Sequence, residues 1–109
     1  MRVILSVFLF LIALNTYSQE EATHWYFGQN AGLDFSTSPP TALSDGRLDT
    51  FEGCSTISDV NGDLLFYSDG STVWSKNHSI MANGTGLLGN PSSTQSALVV
   101  PKPKDSNIY

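Results

Sequence analysis

After residue 18, turn-forming residues recur so often along this chain that the segments between them are too short for long helices. After residue 18, no extended run places apolar side chains at the i, i+3, i+4 and i+7 positions of an amphipathic helix. Short aromatic and β-branched runs are instead bounded by Gly, Asn, Asp, Ser and Pro, as in short strands joined by turns. This pattern predicts an all-β chain of antiparallel meanders, with strands at residues 24–28, 32–36, 53–58, 63–68, 71–75 and 96–101.

Residues 1–18 have the pattern of a secretory signal peptide. A positive start is followed by an apolar run at residues 3–14 and a short polar stretch, which predicts cleavage between Ser18 and Gln19. A membrane anchor is the competing interpretation, but a spanning helix needs about 20 apolar residues and this run is shorter. We therefore expect export through the inner membrane by the secretion machinery, with no stable membrane span after cleavage.

The charge balance and the cysteine count limit what the chain can bind and how it is stabilised. Ten acidic residues stand against five basic ones, and the basic residues do not cluster. Nucleic acids and anionic membrane surfaces are recognised through such clusters, so neither is an expected partner. The single cysteine, Cys54, cannot form the internal disulfides on which many small secreted domains depend. The chain must therefore have enough core of its own or belong to something larger.

The segment ISDVNGDLLFYSDG, at residues 57–70, allows two interpretations. Asp59, Asn61 and Asp63 have the spacing of the first ligands of an EF-hand calcium loop, but the Gly and the closing Glu of that loop are absent. A β-hairpin is favoured, because Asn61-Gly62 fits a tight turn between apolar runs. The turn is either of type I′ at Asn61-Gly62 or of type I with a bulge at Gly62, which differ by one residue of register.

A weak internal similarity indicates a repeated unit. Residues 54–67 and 96–109 both place strand-like ends around a polar turn. Repeats of about 40–50 residues with four strands each are typical of β-propeller blades. We therefore predict that residues 19–109 form the first part of a β-propeller-like domain, left incomplete at Tyr109.

The residues that could take part in catalysis or metal binding are better explained as structural ones. YSDGSTVW, at residues 67–74, resembles the Asp box of sialidase-like propellers, but the spacing after Asp69 fails by one residue, and a turn capped by Asp69 is favoured. His24 and His78 lack a second ligand at metal spacing, and Cys54 has no cationic neighbour that would activate it. No catalytic, cofactor-binding or metal-ligating residue is predicted, and no cofactor.

Two kinds of residue could instead contact an extracellular ligand. The Gly- and Asn-rich segments at residues 28–32 and 83–93 are candidate contact loops. Aromatic side chains could stack on sugars, although in alternating strands they more often form core. These aromatic residues are Trp25, Tyr26, Phe27, Tyr67 and Trp74.

Three stretches resemble the amino-terminal region of large secreted proteins of Bacteroidota. They are WYFGQNAGLDF at 25–35, LSDGRLDTFEGCSTISDVNGDLLFYSDGSTVW at 43–74 and GNPSSTQSALVVPKP at 89–103. Those proteins typically end in a type B sorting domain of the type IX secretion system, also called the gliding motility-associated C-terminal domain. The resemblance implies a propeller-like fold and delivery to the cell surface or medium, and it supplies no catalytic residues. The sorting domain itself is absent from this chain, so we expect this part alone to reach the periplasm and go no further.

The favoured functional hypothesis is a non-enzymatic binding or scaffold module of a surface or secreted protein, with a glycan or a protein as ligand. One rival is a propeller enzyme acting on extracellular glycans, which needs paired carboxylates about 5–10 Å apart. The other is a self-contained β-sandwich carbohydrate-binding module.

Overall fold

The computed structural model describes residues 20–105 and 107–109, so the predicted signal peptide and its cleavage site lie outside the described residues. A 3-10 helix at Glu20–Ala22 precedes two antiparallel sheets, which confirms the all-β prediction and the antiparallel meanders. No helix in this part of the chain has the length and apolarity needed to cross a bilayer. The strands are β1 (His24–Tyr26), β2 (Gly32–Asp34), β3 (Thr41–Leu43), β4 (Ser55–Ser58), β5 (Leu64–Ser68), β6 (Thr72–Ser75) and β7 (Ile80–Thr85).

The first sheet has the order β1-β2-β3, and its two faces differ in character. Leu33 is paired with Trp25 on one side and with Ala42 on the other, so these three side chains share a face. Because side chains alternate along a strand, Tyr26 lies on the opposite face, where it is buried. The face that carries Trp25 is therefore the more exposed one.

The second sheet has the order β4-β5-β6-β7, a four-stranded meander of consecutive hairpins. Its register shifts in β5: Ile57 pairs with Phe66, but the next residue, Ser58, pairs with Leu64. Leu65 is thus the extra residue of a β-bulge, which reverses the alternation of side chains along the strand. As a result Leu64 and Tyr67, three residues apart, both reach the core.

The core lies where the two sheets meet and is mostly aromatic. Tyr26 of β1 stacks on Tyr67 of β5, with ring centroids 4.7 Å apart, and Tyr67 stacks on Trp74 of β6 at 5.7 Å. Leu48, in the connection between the sheets, is fully buried beside them. The β1 backbone is tied to the second sheet by its Tyr26 N–H, which donates to Thr56 Oγ1 at 3.0 Å.

The turn between β4 and β5 is the type I form with a bulge at Gly62. The Gly62 N–H donates to the Asp59 carbonyl at 3.0 Å, the Asp59 N–H donates to the Asp63 carbonyl at 2.8 Å, and Gly62 has φ +86°. The positive φ favours glycine, because a side chain there would crowd its own backbone. The hairpin interpretation of residues 57–70 is therefore confirmed, and its register is settled.

The predicted strand at residues 96–101 is wrong. This apolar run forms no ladder with another strand, and Leu98 and Val100 are exposed. Strand propensity alone does not supply a partner, and Ser96 lies instead against the backbone of Gly53 and Gly70. The similarity between residues 54–67 and 96–109 consequently does not correspond to a second hairpin of the β4–β5 kind.

Two strands were not predicted from the sequence. β3 has only three residues, and β7 contains Ala, Asn and Gly, which are depleted in strands. β7 is held by pairing with β6, and its Asn83 has φ +58°. The predicted contact loop at residues 83–93 therefore begins inside a strand.

Candidate functional site

A polar cluster joins the two sheets and brings together residues that are far apart in sequence. The carboxylate of Asp45, in the connection between β3 and β4, accepts a hydrogen bond from Tyr26 Oη at 2.9 Å on Oδ1. Its Oδ2 lies 3.2 Å from His78 Nε2. His78 Nδ1 lies 2.9 Å from Tyr67 Oη, which accepts the backbone N–H of Arg47 at 3.1 Å. We call Tyr26, Asp45, Tyr67 and His78 the polar cluster.

His78 occupies a turn position that favours glycine, so the contacts of its side chain, and not the preference of the turn, explain why a histidine lies there. The β6–β7 turn repeats the β4–β5 turn: the His78 N–H donates to the Ser75 carbonyl, and the Ser75 N–H donates to the Ser79 carbonyl. His78 thus takes the position of Gly62, with φ +59°. A residue with a Cβ in this conformation costs about 1–2 kcal/mol, which the contacts of the ring with Asp45 and Tyr67 offset.

Charge within the polar cluster is set by burial and by hydrogen bonds. Burial, followed by the hydrogen bond and the charge of Asp45, raises the pKa of the Tyr26 phenol far above its usual value, so the phenol is a neutral donor. Burial alone would raise the pKa of the Asp45 carboxyl. The hydrogen bond from Tyr26, a backbone hydrogen bond, and the charge and hydrogen bond of His78 together have the larger effect, so the pKa is lowered. Asp45 is therefore a carboxylate at neutral pH, and its side chain is more than half exposed.

A second histidine, His24, lies between a serine and an aspartate, the three residue types of a hydrolase catalytic triad. His24 Nδ1 is 3.2 Å from Ser58 Oγ, and His24 Nε2 is 3.9 Å from Asp34 Oδ1. Ser58 is fully buried, however, so no substrate carbonyl can reach its hydroxyl. The Asp34 carboxylate also accepts the Ser36 N–H at 2.8 Å, which is the main cause of its lowered pKa. These groups connect β1 to β4 and do not form a nucleophilic site.

The acidic residues that resembled calcium ligands or an Asp box hold turns. Asp59 Oδ1 accepts the N–H groups of Asn61 and Asp63 at 2.8 and 3.0 Å, and these bonds lower the pKa of the carboxyl. Asp69 Oδ1 accepts the N–H groups of Ser71 and Thr72 and the Ser71 hydroxyl, at 2.7–2.9 Å. Within residues 20–105 and 107–109, no three His, Cys, Asp or Glu side chains gather in a way that could hold a metal ion.

The aromatic residues predicted from the sequence divide into two groups. Tyr26, Tyr67 and Trp74 belong to the core, as their alternation favoured. Trp25 and Phe27 lie outside it, together with Phe35, which sequence reasoning missed. The Trp25 ring centroid is 4.9 Å from that of Phe35 and 6.3 Å from that of Phe27. We call Trp25, Phe27 and Phe35 the aromatic platform.

An open depression adjoins the aromatic platform between β1 and the start of β4. Its volume is about 310 Å³, and Cys54 forms part of its wall. Burial raises the pKa of the Cys54 thiol, so the thiol stays neutral near pH 7 and is a poor nucleophile. The lining consists of Trp25, Tyr26, Phe27, Cys54, Ser55 and Thr56.

The two predicted contact loops are both anchored to the rest of the protein. In residues 28–32 the Asn30 N–H donates to the Leu48 carbonyl at 2.7 Å. In residues 83–93 the Gly89 N–H donates to the Gly70 carbonyl at 2.9 Å, and the Pro91 carbonyl accepts the Thr50 hydroxyl. These segments therefore help to hold the fold, although Leu88 projects fully into solvent.

Comparison with known proteins does not place the chain in a family. No protein-family model, no curated protein and no solved structure matches it. Functional proposals accordingly depend on the sequence patterns and the geometry described above.

Proposed function

We propose that this chain is a non-enzymatic binding and scaffold module, exported as the N-terminal part of a larger type IX secretion cargo protein at the cell surface. The observation that carries the proposal is the second sheet. Its four strands follow one another as a meander, β4-β5-β6-β7, which is the unit that propellers repeat around a central channel.

The distribution of apolar residues supports a role inside a larger assembly. Only four hydrophobic side chains are buried among the described residues, namely Tyr26, Leu48, Leu64 and Tyr67. Several large ones lie outside the sheets with most of their surface in water, including Phe51 at 92% exposure, Leu88 at 103% and Leu98 at 75%. In stacked β-units such residues are covered by the neighbouring unit.

The use of the polar side chains supports a scaffold over an enzyme. Asp59 and Asp69 have their Oδ1 atoms bound by backbone N–H groups, so they shape turns. Ser58 is buried, and His78 connects Asp45 to Tyr67 across the sheet boundary. Because these side chains are buried or already hydrogen-bonded to other groups of the protein, they are poorly placed to exchange protons with a substrate.

Export is tested by producing the 109-residue chain in a Bacteroidota host with a type IX secretion system. Two matched forms are compared, one with a type B sorting domain fused after Tyr109 and one without it. We expect mass spectrometry to find Gln19 as the mature N-terminus of both, and protease treatment of intact cells to digest only the fused form. Retention of Met1 in a cytoplasmic protein would overturn the export proposal.

The scaffold part of the proposal is tested by urea unfolding, followed by circular dichroism of the purified chain. A unit that needs neighbours to cover its apolar residues should unfold in a broad, shallow transition. A steep cooperative transition, with a slope of about 1 kcal/mol/M or more, would contradict the propeller-unit proposal. It would favour a complete small domain instead.

A further inference from the structure

The aromatic platform presents apolar ring surface to solvent, and one of its rings, that of Trp25, is held by a hydrogen bond. Trp25 Nε1 donates to the Ala22 carbonyl at 2.9 Å, which fixes the indole and occupies its only donor. Trp25 is 47% exposed and Phe35 is 41% exposed. Their planes are tilted by 52°, so neither ring covers the other face to face. A ligand that stacks on Trp25 therefore meets an indole that is already held in place, which reduces the entropy lost to ordering this side chain.

The adjoining depression selects against charged ligands. None of its six lining residues carries a charge at neutral pH, and the chain as a whole has a net charge of −5. A polyanion would be repelled by this net charge, and a cation would find no carboxylate in the lining. A neutral ligand is the complement of this surface.

Hydroxyl groups next to the rings define the ligand further. Ser55 and Thr56 both line the depression. Thr56 Oγ1 accepts the Tyr26 N–H, which leaves its own O–H free to donate. The ligand should thus combine an apolar face, which rests on an aromatic ring, with hydroxyl groups that hydrogen-bond at its edge. A sugar ring in the pyranose form has this combination, and pockets of about this size hold small ligands.

We propose that the aromatic platform and the depression bind a neutral pyranose residue of an extracellular glycan, with its apolar face on Trp25 and its hydroxyl edge toward Ser55 and Thr56. This inference rests on the proposed binding function and names the ligand class of that function. No bond is made or broken in the process.

The test is isothermal titration calorimetry of the exported chain, residues 19–109, with cellohexaose and mannohexaose, and with polygalacturonate as the anionic comparison. Trp25→Ala and Phe35→Ala remove the two exposed rings, and Leu88→Ala removes an exposed apolar side chain elsewhere. Far-UV circular dichroism checks that each variant folds. In parallel, the indole N–H signals of Trp25 and Trp74 are followed by NMR during titration of the unmodified chain.

We expect a neutral hexasaccharide to bind, Trp25→Ala to weaken it by about tenfold or more, and Leu88→Ala to leave it unchanged. The Trp25 indole signal should shift and the Trp74 signal should not. The NMR measurement decides the matter even if Trp25→Ala fails to fold. Absence of binding, equal binding of polygalacturonate, or an unchanged Trp25 signal during titration with the neutral hexasaccharides would overturn the inference. Failure here with surface delivery intact would leave the proposed function standing with another ligand.

Discussion

His78 offers the sharpest test of how the two sheets are held together. Its ring makes one hydrogen bond to the buried Tyr67 and one to the exposed carboxylate of Asp45. A hydrogen bond contributes about 0.5–1.5 kcal/mol to stability, and the bond to Asp45 belongs at the lower end because water screens it. His78→Asn removes the ring and keeps a residue that tolerates positive φ, so we expect it to lower the free energy of opening by about 1–2 kcal/mol.

His78→Gly separates the contacts of the ring from the cost of its backbone. Glycine removes the same hydrogen bonds but also relieves the left-handed conformation, which costs about 1 kcal/mol or more for a residue with a Cβ. We therefore expect His78→Gly to be less destabilising than His78→Asn, by less than that amount because Asn tolerates the conformation better than most residues. The exposed neighbour in the same turn, Asn77→Ala, is the matched control and should change little.

Native-state amide hydrogen exchange measures these changes locally, which suits a protein expected to unfold in a broad transition. The most direct probe is the N–H of Arg47, which donates to Tyr67 Oη. A loss of about 1–2 kcal/mol corresponds to a 5- to 30-fold lower protection factor. If His78→Gly exchanged more slowly than the unmodified chain, the ring contacts would contribute less than the backbone costs. The conclusion that these contacts offset the cost of the left-handed backbone would then be wrong.

Three further predictions concern the turns. Since the pKa of Asp59 is lowered in the folded state, its contribution to stability is present above the unfolded carboxyl pKa of about 3.9 and is lost as pH falls through the lower folded value. NMR titration of its carboxyl should place that value below the titration of the urea-unfolded chain. Asp69→Ala removes the acceptor of three hydrogen bonds and should lower the free energy of opening, measured by hydrogen exchange, by about 1–3 kcal/mol. The control Asp63→Ala should change it little, and equal losses in the two variants would contradict the role of Asp69 in the turn. Gly62→Ala at φ +86° should cost about 1–2 kcal/mol, and unchanged protection of the β4–β5 amides would refute the bulged turn.

The parts of the structure that could be predicted from the sequence are those set by neighbours in the chain. The hairpin at residues 57–70 follows from the turn chemistry of Asn61-Gly62, and the turn capped by Asp69 follows from its short side chain. Both depend on hydrogen bonds that span four residues or fewer. Local sequence is therefore sufficient to place both turns, although it left the register of the hairpin between two alternatives.

The polar cluster and the limits of the second sheet could not be predicted in this way. His78 meets Asp45 and Tyr67 only because the sheets dock, and no local pattern relates these three residues. The run at residues 96–101 has strong strand propensity but no partner, whereas β7 has weak propensity and gains one in β6. Pairing and docking decide these elements, and both depend on the whole fold. The one local clue was a histidine at a turn position that usually holds glycine.

The way in which the sheets are joined has a consequence for the order of folding. Every strand pair within a sheet links consecutive strands, so each sheet can form from short-range contacts. The joint between them closes much longer loops: Tyr26 and Thr56 are separated by 30 positions, and His24 and Ser58 by 34. Closing such loops is the slow step, so docking should follow the formation of the sheets. In stopped-flow kinetics Thr56→Val, which removes a contact made in the slow step, should then slow folding, and a refolding chain would hold both sheets before it holds their joint.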